Sequence, residues 1–261
     1  KLLILTVAPL VLAMGMGAMV VYQSGRDRSK AAIAADNLSA MKSMSALLSA
    51  VQNERGIAFL YLTGAAAADG IMSTRNAVDE ALAASAASPA VQTLPESVAP
   101  GVNTAMEGLK QLRRQVDDRS MMARSAYTEY ISIADSRLEQ MVELSKTDAA
   151  EASRQLESIV LYEKAKENAG RVQCLASSVY SLDLPIQYQA ILELVDANAG
   201  ITVNLRNGAA DIGAEANVAL SELEISAEWY AMQDAVIEIL GMANVGGYGR
   251  DGLEFYQGTE A

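Results

Sequence analysis

Arg55 is the residue whose type and position most directly suggest chemistry. A guanidinium is a planar fork of five N–H donors that grips a carboxylate or an oxyanion through two parallel hydrogen bonds. Around it stand apolar residues at three- and four-residue spacings: Leu48, Val51, Ala58 and Leu62. This spacing places all of them on one face of a helix. We therefore expect the Arg55 side chain to point into the core, where its charge needs a partner.

Two residues near Arg55 could complete a binding site. Gln52 precedes it by three residues on nearly the same helix face and could add an amide donor or acceptor. Gly56 would let a ligand or another backbone come close. Two interpretations of Arg55 are open at this point. It could pair with a carboxylate such as Glu167 from a neighbouring helix and fix the helix register, or it could be held for an external anion.

Composition argues against catalysis and against nucleic acid. The chain has no histidine, so the commonest general base and metal ligand is absent from it. A single cysteine, Cys174, can form no internal disulfide and is interpreted as a small buried hydrophobic residue. With 32 acidic and 20 basic residues, the net charge of −12 would repel a phosphate backbone. We therefore predict no enzyme activity, no cofactor, no metal site and no nucleic-acid partner.

The elements that must position Arg55 are predicted to be long helices. The chain is rich in good helix formers, contains only five prolines to interrupt helices, and has only 5% aromatic residues. This composition predicts an all-α fold. The first helix of the soluble part is predicted to cover about 31–62 and to end at Gly64. Further helices are predicted over 70–88, 101–117, 120–146, 148–181, 185–199, 201–222 and 225–243. Helices of this length favour an elongated bundle.

The two ends of the chain differ from this pattern. Residues Leu2–Tyr22 are apolar and uncharged, and a helix of this length would span roughly 31 Å, about the thickness of a bilayer core. We predict a transmembrane anchor over 1–24 that continues into a helical sensor domain over 25–244. The last segment, 245–261, is rich in glycine and lacks periodicity, so it is predicted to be a tail and not a helix.

Four stretches of the chain resemble the nitrate- and nitrite-sensing (NIT) domain family. VQNERGIAFLYLTG at 51–64 resembles the LQ-x-ERG motif of that family. The stretch 109–138 resembles its Arg-containing helix followed by an Ala-rich helix bearing a Tyr. EKAKENAGRVQCLASSVYS at 163–181 is similar to its E-x-x-G-x-x-R helix, and EWYAMQDAVIEIL at 228–240 to its late Trp-containing helix. The order and spacing of the four stretches carry the resemblance.

The resemblance implies two packed helical bundles with a small anion, nitrate or nitrite, held between core helices by arginines. Arg55 matches the first such arginine, and Glu167 and Gly170 match the third motif. The second arginine position holds Gln173, which leaves a neutral amide in place of a charge. Arg171 lies two residues away, about 200° around a helix axis, and is predicted to be a poor substitute. The candidate ligand-binding residues are Arg55, Gln52, Gly56, Gly170 and Gln173.

These observations predict the ligand-sensing, extracytoplasmic domain of a transmembrane signalling receptor, such as one used in chemotaxis. Its expected location is the inner or plasma membrane, with the sensor domain in the periplasm or outside the cell. An anion at Arg55 would favour one helix arrangement, and the first helix would pass the shift to the membrane. The predicted partners are the anion, the membrane and a second copy of the chain. The alternative is a membrane-anchored structural or filament-forming helical protein without a small-molecule ligand.

Overall fold

The part of the chain that the structure describes is an all-α bundle, as the sequence predicts. The structure is a computed structural model of the 261-residue chain, and it describes residues 28–92, 99–147, 150–212 and 214–260. The helices in these ranges are α1 (Arg28–Thr63), α2 (Ala68–Ala87), α3 (Pro89–Gln92), α4 (Ala99–Asp117), α5 (Ala123–Ser145), α6 (Ala150–Leu182), α7 (Tyr188–Ile212), α8 (Ala214–Glu224), α9 (Ala227–Gly241) and α10 (Gly252–Glu260).

The first of these helices, α1, confirms both the predicted apolar stripe and the predicted stop. The stripe is buried at Met41, Met44, Leu48, Val51 and Ala58. At its end Gly64 takes a left-handed backbone with φ +84°, which glycine adopts without a steric penalty. The N–H groups of Gly64 and Ala65 donate to the carbonyls of Tyr61 and Leu60, at 3.1 and 2.8 Å. This pairing is a Schellman motif, which satisfies the last carbonyls of a helix.

The centre of the bundle is formed by α1, α5 and α6, which pack against one another. Outside this group, α2 packs on α1 and α7 packs on α6. One buried cluster surrounds Met41, Leu48 and Met141, and a second includes Tyr127 and Leu175. Full burial of each such large apolar side chain contributes about 1.5–3 kcal/mol. A polar side chain directed between these three helices therefore lies in the core.

The C-terminal segment differs from the sequence prediction. Residues Gly252–Glu260, predicted as part of a Gly-rich tail over 245–261, form the helix α10 on α6. The Asp251 carboxylate caps it by accepting hydrogen bonds from the N–H groups of Leu253 and Glu254, at 2.8 and 2.9 Å. Tyr256 is 1% exposed and supplies the apolar anchor. The high glycine content of this segment led the sequence analysis to predict a tail where a short capped helix forms.

A predicted helix boundary near residue 200 is also wrong. The helix α7 runs without interruption from Tyr188 to Ile212. A Cβ atom on Gly200 would lie 2.3 Å from the side-chain nitrogen of Asn168 on α6. Gly200 therefore marks a close approach of two helices and not the end of one.

The predicted transmembrane anchor over 1–24 lies outside the described residues. Within the ranges given above, no helix is long and apolar enough to cross a membrane.

Candidate anion-binding site

Arg55 lies between α1, α5 and α6 with its side chain 1% exposed, as its position on the apolar stripe predicts. Its Nη1 donates to Oε1 of Glu167 at 2.5 Å, in an ion pair whose two side chains are both 1% exposed. The pairing of Arg55 with Glu167 was one of the two interpretations open from the sequence. The structure therefore confirms that an internal carboxylate balances the Arg55 charge.

Glu167 receives more than one donor. The Gln52 amide donates to its Oε2 at 2.9 Å, and Nε of Arg171 donates to its Oε1 at 2.8 Å. Burial alone would raise the pKa of Glu167, but the Arg55 and Arg171 guanidinium groups outweigh it and hold that pKa below its usual value. Glu167 is therefore an ionised carboxylate in the core at neutral pH.

This pairing uses only one of the three nitrogens of the Arg55 guanidinium. Its Nε and Nη2 atoms are buried and have no hydrogen-bond partner among the described residues. These two nitrogens share one edge of the guanidinium, and their N–H bonds point in the same direction. Such an edge grips two oxygens of a planar anion. Each buried N–H donor left unpaired costs about 1–3 kcal/mol, so an empty edge lowers the stability of the fold unless a ligand occupies it.

Gly170 lies directly against this open edge. A Cβ atom at Gly170 would stand 2.9 Å from Nη2 of Arg55, closer than side-chain carbons approach such atoms. Any side chain at this position would therefore press on the donor edge. The glycine keeps the face of α6 opposite Arg55 free of side-chain atoms.

The Tyr127 ring and the Cys174 thiol also lie near Arg55. The centroid of the Tyr127 ring lies 5.7 Å from Cζ of Arg55 and 5.1 Å from Cζ of Arg124. These distances are within the range of cation–π attraction, which helps fix the guanidinium plane. Cys174 is 2% exposed, and burial raises the pKa of its thiol to about 12. The thiol is therefore neutral at physiological pH, and its burial agrees with the sequence interpretation.

The sequence analysis left Arg171 out of the candidate site because it judged this residue a poor substitute for an arginine at position 173. Its Nη2 donates to Asp135 at 2.5 Å while its Nε holds Glu167, so Arg171 connects the buried pair to the half-exposed Asp135. Arg171 and Gln173 do point about 200° apart around the axis of α6, but Arg171 is the residue of the two that faces Arg55. The four-residue spacing from Glu167 was a signal that could have found it.

Gln173 and Gly56 contact α10 in the structure. The Gln173 amide donates to the backbone oxygen of Tyr256 at 2.9 Å and to the Thr259 hydroxyl at 3.0 Å. A Cβ atom on Gly56 would lie 2.2 Å from the Tyr256 hydroxyl. The predicted contribution of these two residues to ligand binding stays a prediction, whereas Arg55, Gln52 and Gly170 do lie together.

A second buried ion network, which the sequence analysis did not anticipate, lies one residue from Arg55. Glu54 is 0% exposed and accepts two hydrogen bonds from Arg113, at 2.8 and 2.6 Å. It also accepts one from the Tyr130 hydroxyl at 2.7 Å. Burial first, and then the Glu54 carboxylate, raises the pKa of Tyr130. These contacts fasten α4 and α5 to α1 and so fix the orientation of the helix that carries Arg55.

Within the part of the chain that the structure describes, the fold and the site define an all-helical domain whose core holds a guanidinium with one of its three nitrogens hydrogen-bonded. The chain belongs to the nitrate and nitrite sensing family, whose model matches residues 46–253. Its fold is similar to that of the NasR transcription antiterminator, with a TM-score of 0.75 and 20% sequence identity over 92% of this chain and 68% of that one. A comparison with curated proteins finds no match.

These comparisons correct the predicted function and location. The sequence analysis predicted an extracytoplasmic receptor domain in the periplasm or outside the cell, joined to the membrane. The solved structure that this fold resembles is instead that of a transcription antiterminator. The prediction of a transmembrane receptor domain is therefore wrong, whereas the prediction of the NIT family is confirmed.

Proposed function

We propose that this chain is the anion-sensing domain of a regulatory protein, and that nitrate or nitrite binds at the Nε/Nη2 edge of Arg55. The observation that carries the proposal is the pair of buried Arg55 nitrogens without a partner, pointing in the same direction beside Gly170. Membership of the nitrate and nitrite sensing family supports the class of ligand. Arg55 and Gly170 belong to two of the motifs on which the sequence resemblance rests.

The chemistry of the edge suits a planar anion of this kind. Nitrate and nitrite each present two oxygens in one plane, which two parallel N–H donors can bind at once. A hydrogen bond to a charged group contributes a net of about 1.5–3 kcal/mol after exchange with water, so two of them favour binding at this edge. Gln52 and Arg171 hold Glu167 in place and thereby keep the edge oriented.

Sensing requires that the anion distinguish two arrangements of the bundle. Arg55 lies on α1 and Gly170 on α6, so an anion bound at the open edge would lie beside both of the longest helices among the described residues. A change in how α1 packs on α6 would be the output of the domain. We retain a homodimer and two packed bundles as parts of the proposal.

The residues of the proposed anion site do not indicate which process the regulatory protein controls. The sequence analysis predicted from the net charge that the chain has no nucleic-acid partner. Because NasR is a transcription antiterminator, we do not extend that prediction to a larger protein that contains this domain. The charge of −12 argues only against direct contact between this chain and a phosphate backbone.

Calorimetry tests the proposal. The full chain is titrated with nitrate, nitrite and chloride, and the titrations are repeated for Arg55→Lys and for Arg206→Lys as a control. Arg206 is 66% exposed, so its substitution leaves the site unchanged. Lysine keeps the charge but has no planar edge. We expect saturable nitrate or nitrite binding in the wild type and in the control, weakened roughly tenfold or more in Arg55→Lys. Equal binding by Arg55→Lys and wild type would contradict the proposed site.

A further inference from the structure

We propose that Glu167 makes the anion site selective for monovalent over divalent oxyanions. This inference rests on the proposed function and specifies the charge class of its ligand. Glu167 touches the guanidinium that offers the open edge, through the 2.5 Å contact between its Oε1 and Nη1 of Arg55. An anion on the Nε/Nη2 edge therefore binds a guanidinium whose adjacent Nη1 already contacts a carboxylate.

The charges at the site are balanced before any anion binds. Arg55 and Glu167, both 1% exposed, form an inner pair of zero net charge. Arg171 and Asp135 form an outer pair, with side chains 23% and 48% exposed. A monoanion adds one negative charge to this set, and a dianion such as sulfate adds two. Charges in a buried site are screened far less than charges in water, so the second charge is strongly opposed by Glu167.

The donor geometry acts in the same direction. The open edge of Arg55 provides two buried N–H donors without partners. The edge can bind two oxygens of either anion, which leaves one oxygen of nitrate but two oxygens of sulfate without a donor there. Glu167 also occupies Nε of Arg171, at 2.8 Å, so that nitrogen is not free to compensate the additional charge.

The chain offers a matched control on the same helix. Glu163 precedes Glu167 by one helical turn, is 2% exposed, and is bound at 3.0 Å by Lys166 and at 2.7 Å by Ser45. Glu163→Gln also removes a buried carboxylate charge, but Glu163 accepts hydrogen bonds from Ser45 and Lys166 and, among the described residues, none from Arg55. Glu167→Asp keeps the charge while shortening the side chain.

The test is to measure nitrate and sulfate affinities of the wild type and the three variants by calorimetry, with circular dichroism and melting curves to confirm folding. We expect the wild type to prefer nitrate, and Glu167→Gln to lose roughly tenfold or more of that preference through a gain in sulfate affinity. Glu163→Gln and Glu167→Asp should keep the preference.

A folded Glu167→Gln protein with the wild-type ratio of nitrate to sulfate affinity would overturn the inference and leave the proposed function standing. A wild type that binds neither nitrate nor nitrite would overturn the proposed function, and this inference with it.

Discussion

Arg55 and Glu167 are 112 residues apart in the chain, yet a 2.5 Å contact between Nη1 and Oε1 joins α1 to α6 through them. The contact balances the Arg55 charge but uses only one of its nitrogens, since Nε and Nη2 remain without partners among the described residues. A purely structural ion pair would gain from satisfying those donors as well. The pair therefore holds the two helices together and leaves free the edge at which we propose that an anion binds.

The first prediction concerns the Glu54 network. Glu54→Gln should lower the free energy of unfolding by about 3 kcal/mol, because Arg113 loses its buried counter-charge. Asp79→Asn is the matched control, since Asp79 pairs with the same arginine from a side chain that is 59% exposed. The control should cost less than about 1 kcal/mol. Urea unfolding monitored by circular dichroism measures both, and equal effects of the two substitutions would refute the assigned role of Glu54.

A second prediction concerns the packing of α10 on Gly56. Gly56→Ala should destabilise the protein by about 1–3 kcal/mol, because the new methyl group would lie 2.2 Å from the Tyr256 hydroxyl. Gly108→Ala in α4 has no neighbouring atom within 4 Å of the added carbon. That control should instead gain up to about 1 kcal/mol from helix propensity. The same sign for both substitutions, measured by chemical unfolding, would contradict the α10 contact.

Cys174 provides a third prediction. Because the thiol is 2% exposed and burial raises its pKa to about 12, it should resist alkylation by iodoacetamide in the native protein at pH 8. In urea the thiol should react at the rate of a free cysteine. Mass spectrometry follows the reaction, and rapid labelling of the folded chain would show that this part of the core is open.

A fourth prediction links Glu167 to acid stability. The folded pKa of Glu167 lies below its unfolded value of about 4.3, so its contribution to stability is fully present above that pH and is lost as the pH falls through the folded pKa. The difference in unfolding free energy between wild type and Glu167→Gln should therefore be largest near pH 6 and should shrink towards pH 3. Denaturant titrations at several pH values measure it, and a constant difference would show that the Glu167 charge does not stabilise the fold.

Much of the fold could be predicted from the sequence because its helices are long and rarely interrupted. The apolar stripe of α1 identified Arg55 as a core residue, and the helix end at Gly64 followed from its backbone freedom. The segment over 245–261 was misread because its glycines outweighed a capping signal. Asp251, followed three residues later by Glu254, is a capping-box spacing that predicts a helix start.

The site was predictable only in part, for a physical reason. Spacing along one helix places Gln52 beside Arg55, and the sequence analysis named Glu167 as a candidate partner of Arg55. Spacing alone does not select a partner among the residues of the other helices. The links from Arg171 to Asp135 and from Arg113 to Glu54 depend on how three helices pack. Gln173 was assigned to the site by its motif position, whereas its amide contacts α10. Contacts between helices depend on how the helices pack, and that packing cannot be inferred from a single sequence.

The most direct measurement is a titration of the nitrogen-15-labelled chain with nitrate, observing the arginine Nε–H resonances by NMR. Arg55→Lys assigns the Arg55 signal by its disappearance, and Arg250, whose side chain is 46% exposed, serves as an internal reference. The Arg55 signal should shift and saturate at the nitrate affinity found by calorimetry, while the Arg250 signal stays in place. Nitrate binding that leaves the Arg55 Nε–H signal unmoved would contradict the account.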